Sequence, residues 1–156
     1  MQKRLIFKDK EIIATDLKGN SGYIFYADRQ ALEKDVFNDP YIGKWIVKSD
    51  SPEEAVKHCL SAVSFNVVFQ AKHSKEQKPL CFFYLNALDL EGHKKVIDFM
   101  FFQGMVKRTS SGKFCNLPYK LDTETLSGKY GKNSVLCHLS DFIDLDTGKG
   151  LPWLCK

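Results

Sequence analysis

The apolar residues of this chain fall in runs no longer than a strand. The densest, Phe65–Ala71 and Leu80–Leu85, cover seven and six positions. Runs of that length bounded by turn signals suit strands, and a membrane-spanning helix needs about 20 apolar residues. Turn clusters such as Gly19-Asn20-Ser21-Gly22 separate them. The chain is rich in Phe (12) and Tyr (6), and rings of this kind pack well on pleated, half-buried surfaces. A β-rich, aromatic core is expected.

Three strands open the chain: Leu5–Phe7, Ile12–Thr15 and Tyr23–Tyr26. Asp28 can cap a short helix that Asn38-Asp39-Pro40 stops. Gly43–Lys48 reads as a strand. Ser51-Pro52-Glu53-Glu54 is the best helix start in the chain, with a capping serine, proline at the first helical position and a capping-box glutamate. Ala55, Val56, Cys59, Leu60 and Val63 then share one helical face. Phe65–Ala71 starts a strand, Lys72–Pro79 is a polar loop, and Leu80–Leu85 is a strand. Asp89 caps a further helix with a Val96, Ile97, Met100 and Phe101 stripe, ended by Gly104. Two short strand-like runs flanking Ser110-Ser111-Gly112 predict a β-hairpin. Val135–Leu139 and Phe142–Leu145 read as strands, and Leu151–Leu154 is apolar enough to dock.

Strands outnumber helices and come in neighbouring runs. The expected class is α+β, a largely antiparallel sheet with about three short helices. The 156 residues contain no repeat and no Pro/Gly/Ser-rich linker, so residues 1–156 are read as a single compact domain. A domain of this size buries about 68–70% of its unfolded surface and holds a core without disulfides. The five cysteines fit that reading. Cys59, Cys81, Cys115, Cys137 and Cys155 are odd in number, spaced by 22, 34, 22 and 18 residues, with no C-x-x-C. Reduced thiols in a cytoplasmic protein are expected. The basic N-terminus is followed by an apolar run of only three residues, Leu5-Ile6-Phe7, too short for a signal peptide. No membrane association is expected.

The charge is placed unevenly. Residues 1–91 carry 13 basic and 13 acidic side chains, and residues 134–156 two basic and three acidic. Residues 92–133 carry eight basic and three acidic, so the whole excess of the +4 chain sits in one 42-residue window. A concentrated basic surface is the footprint of an anionic partner. His93, Lys94 and Lys95 stand in the first turns of the third helix, where cations oppose the helix dipole and a bound phosphate offsets them. Lys107, Arg108 and Lys113 flank the hairpin turn. A helix followed by a basic β-wing is how winged-helix proteins hold DNA, although here a strand, not a helix, precedes it. Phe114, Tyr119 and Tyr130 interleave with Lys113, Lys120, Lys129 and Lys132, a pattern that suits single-stranded nucleic acid if the rings face water.

The leading expectation is therefore a small non-enzymatic accessory protein. Its partner is nucleic acid or a nucleic-acid-processing protein complex, and Lys94, Lys95, Lys107, Arg108 and Lys113 contact phosphate. A second reading is an inhibitor or immunity-type protein that binds a partner protein through an exposed aromatic, Trp45 or Trp153. A third is a metal-dependent nuclease with Asp50 as the metal-binding acid and Gln70-x-Lys72 on the next strand.

Other constellations are weak. His58-Cys59 and Cys137-His138 are adjacent pairs, and neighbours on a strand point to opposite faces, so a zinc site is not expected. No G-x-S-x-G or glycine-rich phosphate loop occurs. Asp144–Gly148 lacks the later ligands of a calcium loop and reads as a turn. No cofactor, metal or catalytic set is expected.

Overall fold

Ser51 and Asp89 start the two helices seen among the described residues. The Ser51 hydroxyl accepts from the Glu54 amide at 3.2 Å, and the Asp89 carboxylate accepts from the Gly92 amide at 3.0 Å. Each is a local signal, which is why both helices begin where the sequence says. The computed structural model describes residues 2–7, 10–16, 22–29, 39–122 and 135–152. In chain order the elements are β1 (Gln2–Phe7), β2 (Lys10–Asp16), β3 (Tyr23–Asp28), β4 (Ile42–Lys48), α1 (Pro52–Ser64), β5 (Gln70–Ser74), β6 (Leu80–Asn86), α2 (Leu90–Phe102), β7 (Pro118–Leu121) and β8 (Val135–His138). A one-turn 3₁₀ helix follows over Leu139–Asp141.

The strands form one sheet in the order β1-β2-β3-β5-β6-β4-β7-β8, and every neighbouring pair is antiparallel. The class is α+β. Because β4 and β5 both run against β6, they are parallel to each other and α1 crosses between them. In the same way α2 connects β6 to β7 across β4. The centre is thus two interlocked split βαβ units, the ferredoxin-like arrangement. The β1–β3 meander widens one edge and β8 the other.

Strand alternation divides the side chains between two faces. On β6, Phe83 stacks on Phe99 of α2 with ring centroids 5.7 Å apart, so Cys81, Phe83 and Leu85 face the helices. Phe82 and Tyr84 face the other way and join Ile42 in a second, smaller buried cluster. On the helix side Trp45 is fully buried, touching the rings of Tyr119 and Phe142, both at 5.6 Å. Its place on a central strand removes it as an exposed protein-binding hot spot. Trp153 lies outside the described residues.

Other expectations change, and one falls outside the described residues. The helix expected after Asp28 lies, beyond Arg29, outside the described residues. The strand expected from Phe65 begins at Gln70, because Phe65 serves as the C-cap of α1 and Asn66 turns the chain with φ 59°. It then runs to Ser74, into the segment expected as loop. The strand expected over Phe142–Leu145 is a turn with a single bridge between Ile143 and Gly150. β7 was not anticipated, and it exists because Gly43 lets β4 and β7 approach closely. A Cβ there would lie 2.4 Å from the Lys120 carbonyl oxygen and 2.6 Å from the Tyr119 hydroxyl. Among the described residues, no helix is long and apolar enough to cross a membrane.

Candidate nucleic-acid interface

The helix and hairpin that carry the excess charge meet through two aromatic rings. The hairpin forms as expected around Ser110-Ser111-Gly112. Arg108 and Phe114 form its bridge, the Thr109 amide donates to the Lys113 carbonyl at 2.7 Å, and the Cys115 amide to the Lys107 carbonyl at 2.8 Å. Phe114 meets Phe101 of α2 edge-on, centroids 4.9 Å apart. The Arg108 guanidinium lies 4.0 Å from the Phe114 centroid, a cation–π contact. Its Nη1 donates to the Gly112 carbonyl at 2.6 Å, which ties the side chain back to its own turn. Arginine has five N–H donors, so several remain for a ligand.

Between α2, Phe114 and the Ile143–Gly150 turn lies a cleft of about 310 Å³. Its floor is Ile97, Phe101, Phe114 and Ile143, and Lys94 and Asp98 stand on its α2 side. Gly148 closes the far wall with φ +78°. A Cβ there would sit 3.0 Å from Phe114 Cε2 and 3.5 Å from Phe101 Cε1. Ligand pockets begin at about this volume.

The five predicted phosphate contacts divide. Lys94 lines the cleft and holds only a long pair with Glu91, 3.9 Å away. Arg108 covers the ring that forms the cleft's floor. Lys95 is exposed on the same helix. Lys107 and Lys113 alternate with Arg108 and Phe114 along the hairpin, so their side chains leave its other face. Lys107 there pairs with Asp50 at 3.3 Å. Both members of that pair are more than half exposed, and such pairs contribute only about 0–1 kcal/mol. His93 leaves the cationic set. It is buried; Trp45 donates to its Nδ1 at 3.0 Å, and its Nε2–H donates to the Ala87 carbonyl at 2.9 Å. Burial lowers its pKa, so the ring is neutral. α2 itself spans the crossover on the sheet, and among the described residues it has no helix–turn–helix partner.

Other predicted groups are dispersed. Tyr119 is fully buried and donates to the Leu85 carbonyl at 2.7 Å, so it offers no stacking surface. Tyr130, Lys129 and Lys132 lie outside the described residues. The nuclease set is not assembled. Gln70 stands level with Tyr84 and Lys44 in the sheet register, whereas Asp50 follows the end of β4 six residues further on. At strand rise that is on the order of 15–20 Å. Among the described residues no group of three His, Cys, Asp or Glu could hold a metal ion.

Two clusters escaped the sequence reading. Under α1, Ser49 Oγ lies 3.3 Å from His58 Nδ1 and 3.1 Å from Cys81 Sγ, and His58 Nε2 lies 3.5 Å from Glu54. Ser49, His58 and Cys81 are all buried, so this chain is a satisfied core network and not an open nucleophile. On the sheet face opposite α1 and α2, Lys72 stands among four aromatic rings. Its forewarning in the sequence is the i, i+2 spacing of Tyr23 and Phe25 and of Phe82 and Tyr84. No family model matches the chain, and no curated protein matches it.

Proposed function

We propose that this protein binds single-stranded nucleic acid without catalysing a reaction on it. The strand runs past α2 and the hairpin. Lys94, Lys95 and Arg108 take the phosphates, while Lys113 and Lys107 flank the strand from the hairpin's other face. The observation that carries the reading is the run of contacts Arg108–Phe114–Phe101 beside the Lys94 cleft. It combines a cation, a flat surface and a concave apolar floor within one unit. A guanidinium seated over a ring can receive an unstacked base on its outer side, which is how single strands are commonly held. A duplex keeps its bases paired and gains only the phosphate contacts.

The test is fluorescence anisotropy with labelled oligothymidine and a duplex of equal length. The single strand is expected to bind more tightly, with affinity falling steeply as salt rises. Absence of binding to either at low salt contradicts the reading.

A further inference from the structure

The sheet face turned away from the helices carries an arrangement that the nucleic-acid reading leaves unused. Lys72 of β5 sits in a cross-strand row between Phe25 of β3 and Phe82 of β6. Its Nζ lies 4.3 Å from the Tyr23 ring centroid, 4.9 Å from Phe82, 5.3 Å from Phe25 and 5.8 Å from Tyr84. Among the described residues no carboxylate comes within ion-pair distance of it. The charged groups that face it are Lys44 on β4 and Asp122 beyond it, already joined to each other at 2.5 Å. The phenols of Tyr23 and Tyr84 complete its titratable surroundings, and burial pushes that of Tyr84 up, keeping it neutral.

Four ring faces attract an ammonium. Burial opposes them, and Lys44 adds repulsion. Burial first and Lys44 second pull the Lys72 pKa down to about 8. An amine so placed is a nucleophile at neutral pH, as desolvated lysines beside another cation are.

We propose that Lys72 is an acylation site: its amine, ringed by Tyr23, Phe25, Phe82 and Tyr84 beside Lys44 and without a carboxylate partner among the described residues, accepts acyl groups from thioesters. The free amine nitrogen attacks the thioester carbonyl carbon. The C–N bond forms, the C–S bond breaks, and the departing thiolate takes up the proton that nitrogen loses. The product is a neutral amide, which aromatic surroundings tolerate better than an ammonium. The inference does not rest on nucleic-acid binding.

The experiment incubates the native protein with a small acetyl thioester, N,S-diacetylcysteamine, at about pH 7.5. Peptide mass spectrometry follows acetylation at Lys72 and at exposed Lys113. A pKa near 8 leaves about a quarter of the amine free at that pH, against roughly one part in a thousand for an ordinary lysine. Lower basicity and ring crowding offset part of this, so an advantage of at least about tenfold is expected. The rate should reach half its maximum near pH 8, and the advantage should vanish in denaturing urea. Lys44→Met leaves Asp122 as the nearest charge, makes Lys72 more basic, and should slow its acetylation severalfold. Labelling of Lys72 no faster than Lys113 in the native protein overturns the proposal. So does an unchanged or faster rate in a folded Lys44→Met protein.

Discussion

The indole N–H of Trp45 donates to Nδ1 of His93 at 3.0 Å, which fixes the proton of that buried ring on Nε2. Two other histidines also have a partner at each ring nitrogen. His73 sits between the Tyr26 hydroxyl at 3.0 Å and the Ser74 carbonyl at 2.9 Å, and His58 between Ser49 and Glu54. Burial is the largest influence on all three and lowers each pKa. The unfolded chain therefore takes up protons before the folded one does. Stability is full above the ordinary histidine range near pH 6.5 and is lost as pH falls through it. The loss is at most about 1.4 kcal/mol per histidine per pH unit. Urea midpoints should drop between pH 7.5 and pH 5.5, and His93→Gln should flatten the curve; a wild-type midpoint constant over that span contradicts the assignment.

Gly43 lets β4 and β7 approach closely. Gly43→Ala must push β7 away from β4, since the new Cβ would meet the Lys120 carbonyl and the Tyr119 hydroxyl. A cost of about 1–3 kcal/mol is expected, read as a fall in melting temperature. An unaltered melting temperature would show that β7 does not pack as described.

Gly148→Ala acts on the cleft. It places a side chain at φ +78° and drives a methyl against Phe114. Strain of about 1–3 kcal/mol is expected, together with displacement of the Arg108 platform. Oligonucleotide affinity should fall more than in Lys107→Ala/Lys113→Ala. Equal loss in the two variants would mean that the cleft is not the contact.

Arg108→Lys keeps the charge and loses the plane. A point-charge contact would survive it, whereas stacking on Phe114 would not. Binding of single strands should weaken several-fold with nearly the same salt slope. If affinity is unchanged, the guanidinium is not a base platform.

Much of the fold was legible because its signals are local. Ser51-Pro52 and Asp89 name their helices within one turn, and Ser110-Ser111-Gly112 names the hairpin. What escaped is non-local. Phe65 looks like the start of a strand until the helix before it needs a cap. Pro118–Leu121 is too short and polar to stand out, and becomes a strand only when β4 offers Gly43. The interlocked crossovers depend on which strands pair, which no window of sequence contains. Of the candidate interface, the excess of positive charge over residues 92–133 was visible in the sequence, and the alternation that sends Lys107 and Lys113 away from Arg108 could have been read from their numbers. Asp50 reaching Lys107, and Trp45 donating to His93, join positions more than forty residues apart.

The most direct test of the central claim is the salt dependence of oligothymidine binding in the wild type and in Lys94→Ala/Lys95→Ala/Arg108→Ala. Each phosphate contact on a single strand contributes about 0.7 to the slope of log K against log salt. The triple variant should lose about 2 from that slope and most of its affinity at low salt, with its melting temperature within a few degrees of the wild type. A folded triple variant that keeps both slope and affinity contradicts the claim.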